Sequence, residues 1–149
     1  MKLWMKAAVA LAFAGLATLA AAQTMAEAKA LLDAAQASAM SKGIRGAATD
    51  FNAGGKWKKS KAYVVLVNFD GDMLANSGSS RMVGENLLQA RDDAGKAFVQ
   101  EMIKAVQANG EALLEMSWSN ADTRKLDTAK LLARRVPGQP AYIAVAFFE

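Results

Sequence analysis

Apolar and polar positions change rhythm several times along the chain. Ala7 to Ala22 has no rhythm at all, running 16 residues without a charge. From Thr24 to about Asp50 the spacing becomes helical. Met25, Leu31, Leu32, Ala35, Ala39 and Met40 form a stripe, with Glu27, Lys29 and Asp33 off it. Thr24 with Glu27 three residues on matches a capping box and predicts the helix start. Gly43 interrupts the stripe and Ala47, Ala48 and Phe51 resume it, which predicts one long helix or two with a break. Asn52-Ala53-Gly54-Gly55 ends it.

The pattern then shortens. Ala62 to Asn68 is β-branched and too brief for a helix, so it reads as a buried central strand. Asp70-Gly71 turns into a second strand, Met73 to Asn76. Ser77 to Arg81 is loop, and Gly84 to Arg91 is loop or a short helical turn. Asp92-Asp93 then open a helix with Ala94, Ala97, Phe98, Met102, Ile103 and Val106 on one face, closed by Asn109-Gly110. Glu111 to Trp118, Lys130 to Val136 and Ala141 to Phe148 read as strands, with turns at Ser119 to Asp122 and Pro137 to Pro140. The order predicts an α+β fold: a long N-terminal helix packed on an antiparallel sheet of about five strands, with one further helix.

Composition changes the picture at the N-terminus. The first 22 residues hold 18 apolar side chains, and without them the apolar share of the chain falls from 53% to about 48%. That is the usual value for a soluble globular domain. Lys2 and Lys6 form a positive start, and Ala20-Ala21-Ala22 supplies small residues before Gln23, so residues 1–22 read as a cleaved signal peptide. An uncleaved N-terminal anchor is the other reading. No Cys follows, so no lipoprotein anchor is expected. Residues 23–149 then form a single domain outside the inner membrane, most naturally in a bacterial periplasm.

The chain has neither Cys nor His. Zinc sites of the usual kind, haem attachment, iron–sulfur ligation, Ser-His-Asp triads and Cys-His pairs are excluded. Neither an enzyme nor a cofactor or metal is expected. The formal charge of +4 falls to +2 without Lys2 and Lys6, which makes no case for nucleic acid. Lys56, Lys58, Lys59 and Lys61, interleaved with Trp57, form the one basic cluster. It reads as a solvated loop before a strand, with an anionic-surface role as the alternative.

Tyr63 to Asn68, Asp70-Gly71 and Leu74-Ala75 in this order resemble the first hairpin of a single Cache domain. Val83-Gly84-Glu85-Asn86-Leu87, Asp92, Gly95-Lys96 and Glu101-Met102-Ile103 are similar to that family's next segment. Gly110, Trp118, Asn120 and Arg135-Val136-Pro137-Gly138 fit as well, so the resemblance covers residues 25–148. It implies a PAS-like extracytoplasmic sensor, of the stand-alone periplasmic type, whose concave sheet face holds a small organic ligand such as a carboxylate or amine. The chain closes on Glu149 just after its last strand, which implies signalling through a membrane-bound receptor, kinase or transporter partner. An anchored sensor subunit without its own output domain and a non-sensory structural periplasmic protein are the alternatives.

Two departures bear on the ligand. Many relatives carry His-Pro where this chain has Asn76-Ser77, and Asn cannot become cationic. Many also carry Lys-x-x-Tyr on the penultimate strand, where Lys130 matches but the tyrosine is absent. A less polar pocket is therefore expected. A small anion in such a pocket needs a cation and a few oriented donors. Arg81, Lys130 and Arg134 are the candidate cations, each with a solvated role as the alternative. Tyr63 and Trp118 are candidate walls, Asn68 and Asn76 candidate orienting groups, and Trp57 either closes the pocket edge or covers the sheet. Asp70-Gly71-Asp72 resembles part of a calcium loop but lacks the further oxygen ligands, and reads as a hairpin turn. Asp92-Asp93 are explained by the helix start rather than by catalysis.

Overall fold

The computed structural model describes the backbone of residues 2–119 and 124–148, and the side chains of residues 24–117 and 124–148. Helix α1 spans Lys2–Asn52 and bends at Gly43, whose backbone (φ 74°, ψ 175°) is one that only glycine adopts cheaply. The Lys42 ammonium and the Ser38 hydroxyl, both ahead of the bend, donate to the Asp50 carboxylate beyond it. Those bonds, the Lys42 one foremost, hold the Asp50 carboxyl below its usual range. The expected capping box at Thr24 does not form a start. Helix runs straight through it, because the Ala- and Leu-rich stretch before it consists of strong helix formers.

Five strands follow, β1 (Ala62–Asn68), β2 (Met73–Asn76), β3 (Glu111–Ser119), β4 (Leu126–Arg135) and β5 (Ala141–Phe147). They form one antiparallel sheet in the order β2-β1-β5-β4-β3, so the last strand of the chain lies at the centre beside the first. β4 begins at Leu126, ahead of the expected Lys130, because its pairing with β3 extends to Ser119↔Leu126. The expected turn at Ser119 to Asp122 lies largely outside the described residues, as does Asn120.

Helix α2 spans Phe98–Asn109, a later start than Asp92-Asp93 predicted. Asp92 is spent elsewhere. Its Oδ1 accepts from the Ala94 and Lys96 N–H groups and its Oδ2 from Ser117 N–H at 2.9 Å, tying the loop before α2 to strand β3. The Ser117 bond foremost holds the Asp92 carboxyl below its usual range. A carboxylate that already accepts from two local amides and one on β3 has no need of a helix terminus.

The sheet has two different faces. Leu32, Ala35 and Phe51 of α1 pack against Leu66, Val145 and Phe147 on one face. Trp57 closes that core, its ring 4.9 Å from the Phe51 ring in an edge-on contact. Arg134 of β4 anchors α1 from outside, donating to Asp33 and Gln36 of the helix at 2.7 Å each. On the other face Val99, Met102, Ile103 and Val106 of α2 cover part of the sheet, and the segment between β2 and α2 covers more.

Candidate ligand cavity

On the sheet face away from α1 the cover is incomplete, and a cavity of about 560 Å³ remains. The period-two alternation of the strands decides what lines it. Tyr142, Ala144 and Ala146 of β5 and Tyr63, Val65 and Val67 of β1 face it side by side, in the pairs Tyr63↔Ala146, Val65↔Ala144 and Val67↔Tyr142. Met73, Met82, Leu87, Phe98, Val99, Met116 and Leu131 complete an apolar wall. Two alanines at the centre of a sheet leave the room that a larger residue would fill.

Few polar groups enter. Asn76, opposite Val65 in the sheet, is 6% exposed. Its Oδ1 accepts from Gly78 and Ser79 N–H at 2.9 and 2.8 Å, which fixes the amide orientation. Its Nδ2 is then a donor with no acceptor among the described residues. The hydroxyls of Tyr63 and Tyr142 likewise have no hydrogen-bond partner among the described residues. Burial pushes both phenol pKa values up, so both hydroxyls stay protonated. The Tyr63 ring is held against Gly78, where a Cβ would lie 2.8 Å from the ring.

The mouth is basic. Lys58, Lys59 and Lys61 are exposed and lie along it with Ser60, while no Asp or Glu is among the lining residues. Lys59 N–H donates to Ala62 O at 2.8 Å and Phe148 N–H to Lys61 O at 3.0 Å, so the loop that carries these lysines is pinned to β1 and to the end of β5.

The structure thus brings Tyr63 and Asn76 together in the cavity and places Asn68, Arg81, Lys130 and Arg134 elsewhere. Asn68 closes the β1–β2 turn, its Oδ1 accepting from Asp70 and Asp72 N–H and its Nδ2 donating to Asp72. Hydrogen bonds from Asn86 and then Asn68 hold the Asp72 carboxyl below its usual range, so the Asp70-Gly71-Asp72 run is a bonded turn. Arg81 is exposed on the 3₁₀ turn Ser80–Met82, whose neighbours Ser79 and Met82 do reach the cavity. Lys130 shares the α1-facing register of Leu132, one residue out of phase with the cavity-lining Leu131. Arg134 serves α1, as described. Trp118 lies on β3, but its side chain is outside the described residues.

Tyr142 and the lysine mouth were missed by reading the chain alone. The signal for Tyr142 was present: a large residue alternating with two alanines on a strand whose other face is Ile143, Val145 and Phe147. Among the described residues no group of three or more His, Cys, Asp or Glu side chains is placed to hold a metal.

Comparison with solved structures gives the same fold. A methyl-accepting chemotaxis protein from Vibrio parahaemolyticus matches with a TM-score of 0.68 at 18% identity, over 88% of this chain and 91% of that one. A Cache chemosensory domain described for carboxylic acid recognition matches at 0.63 and 13% identity, over 90% and 96%. A periplasmic sensor domain of a chemotaxis protein matches at 0.62 and 17%, over 91% and 96%. No curated protein sequence matches the chain. The single Cache domain 2 family matches residues 5–148, nearly the whole length. With its PAS-like sheet order, its long N-terminal helix and an open cavity on the far sheet face, the chain belongs to the single Cache domain 2 family of extracytoplasmic sensor domains.

Proposed function

We propose that this domain binds a small organic acid in the cavity beyond the sheet and reports its occupancy to a membrane-bound receptor or kinase. One observation carries the reading: a cavity of about 560 Å³, within the ~300–1,000 Å³ range of small-molecule sites, whose mouth holds three lysines and whose lining holds no acid. Asn76 Nδ2 and the two tyrosine hydroxyls are the donors inside a lining that is otherwise mostly apolar. The likeness to a Cache domain described for carboxylic acid recognition supports the same class. A family of sensor domains fits this role better than catalysis.

A thermal-shift screen over organic acids, amino acids, amines and purines tests it. Stabilisation by one or more acids is expected, and it should weaken in Ala144→Leu, which fills the cavity, and in Lys58→Gln, Lys59→Gln, Lys61→Gln, which removes the charge at its mouth. Failure of every compound to raise the midpoint sinks the ligand-binding reading.

Residues 1–22 act in this proposal as an export signal removed before Gln23, supported by Lys2, Lys6 and the charge-free run Ala7 to Ala22. A retained anchor is the second reading. It is favoured by the continuity of α1 from Lys2 through Thr24 and by a family match that already begins at residue 5. Intact-mass measurement of the exported protein separates them: an N-terminus at Gln23 supports cleavage, and one at Met1 or Lys2 rejects it.

A further inference from the structure

The cavity is unequal along its depth, and that inequality names a narrower ligand class. At the mouth stand Lys58, Lys59 and Lys61. Past them the wall is mostly hydrocarbon and thioether, from Val65, Val67, Met73, Met116, Leu131 and the two β5 alanines, with the Tyr63 and Tyr142 hydroxyls and Asn76 Nδ2 as its few polar groups. A two- or three-carbon acid placed at the mouth would leave that wall without contacts, and placed at the bottom it would give up its lysines. A flat ligand that is polar all round would find only those three neutral groups and would strand its remaining donors and acceptors against Val and Met. Methionines suit a flexible chain, since their unbranched thioethers adapt to its shape.

From the basic mouth and the mostly apolar wall, we propose that the site takes a single-headed alkyl monocarboxylate of medium chain length, its head at the Lys58–Lys61 loop and its tail along β5 and β1. This inference rests on the ligand-binding reading above and narrows it. The tail is the main source of affinity: each methylene moved from water onto the wall tightens binding about fourfold, until the cavity is full. The head selects charge. Exposed lysines contribute little each, so the acid is favoured over the matching alcohol by about tenfold for the three together, and the preference shrinks with salt.

Calorimetric titration of the purified protein with butanoate, hexanoate, octanoate and decanoate, and with decanol and decylamine, tests the assignment. The expected result is an affinity that climbs with chain length, with decanoate ahead of decanol and decylamine last. In the triple variant Lys58→Gln, Lys59→Gln, Lys61→Gln, decanoate should fall to the level of decanol while decanol is unchanged. These lysines are exposed, so that variant should keep its fold. In Ala144→Leu the rise should stop at a shorter acid, and Ala144→Val, with a smaller intrusion, should stop it later.

A flat chain-length series overturns the inference, as does equal binding of decanoate and decanol by the unaltered protein. If either occurs while a short acid or an amino acid binds, the ligand-binding reading survives and the alkyl tail does not. If nothing in this series or in the wider screen binds, the broader reading has failed as well.

Discussion

The two faces of the sheet are made by the same strands and finish differently. On β5, Ile143, Val145 and Phe147 point to α1, and Tyr142, Ala144 and Ala146 point away. All seven residues of the strand are buried. On the α1 side, large side chains meet Leu32 and Phe51 and fill the centre of the layer, and a cleft remains only at its edge, beside Trp57 and Ala62. On the other side two alanines meet a twelve-residue helix that covers part of the face, and a cavity is left. Burial alone therefore does not separate core from site. What separates them is the size of the side chains against the cover available to them.

Large-to-small changes should break that comparison first if it is wrong. Phe147→Ala on the α1 face should cost about 3–5 kcal/mol in urea unfolding, since it opens a void in a filled layer. Leu131→Ala on the cavity face should cost less than about 2 kcal/mol, because its neighbours already face open space. Equal losses would mean that the two faces are packed alike.

Small-to-large changes should give the next largest contrast. Ala35→Leu, in the middle of α1 against the sheet, should cost about 1–3 kcal/mol through overpacking. Ala144→Leu has room, and should leave the thermal midpoint unchanged or raised. A drop in midpoint for Ala144→Leu comparable with that of Ala35→Leu would show that the cavity is not available to a side chain.

Fold and site were unequally legible in the sequence. The central strands and the break at Gly43 could be read because hydrophobic period and glycine conformation are local properties. The start of α1 could not, since Thr24-x-x-Glu27 is a local signal overridden by the helix-forming run that precedes it. Asp92 misled for a related reason: a carboxylate before a helix and a carboxylate holding a loop to Ser117 look alike until β3 is in place. The cavity depends on which faces meet. Tyr63 and Asn76 were named as candidates on strands whose register could be read, whereas Lys130 differs from a cavity position by a single step of alternation. The lysine loop looked solvated, and it is; its place at the mouth is set by the pairing of Lys61 with Phe148, 87 residues later.

Smaller effects sharpen the picture at the edges. Arg134→Ala removes the ties to Asp33, Gln36 and Glu111, and should cost about 1 kcal/mol or less, shrinking as salt is added. Cavity binding should be unaffected, because Arg134 serves the α1 face. The narrowest effect appears only in acid. The folded pKa of Asp92 is depressed, so its contribution is complete above the unfolded value of ~3.9 and is lost as pH falls through the folded one. In Asp92→Asn that part of the acid limb should vanish from the pH–stability curve. Asp50→Asn should remove a comparable part from the α1 side.

The most direct test of the central claim, that the face away from α1 holds the ligand, is calorimetric titration of decanoate into three proteins: unaltered, Ala144→Leu and Ala35→Leu. Saturable binding is expected for the unaltered protein and for Ala35→Leu, with a loss of at least about tenfold, ~1.4 kcal/mol, in Ala144→Leu with its fold intact. Undiminished binding to Ala144→Leu, or its loss in Ala35→Leu instead, would contradict it.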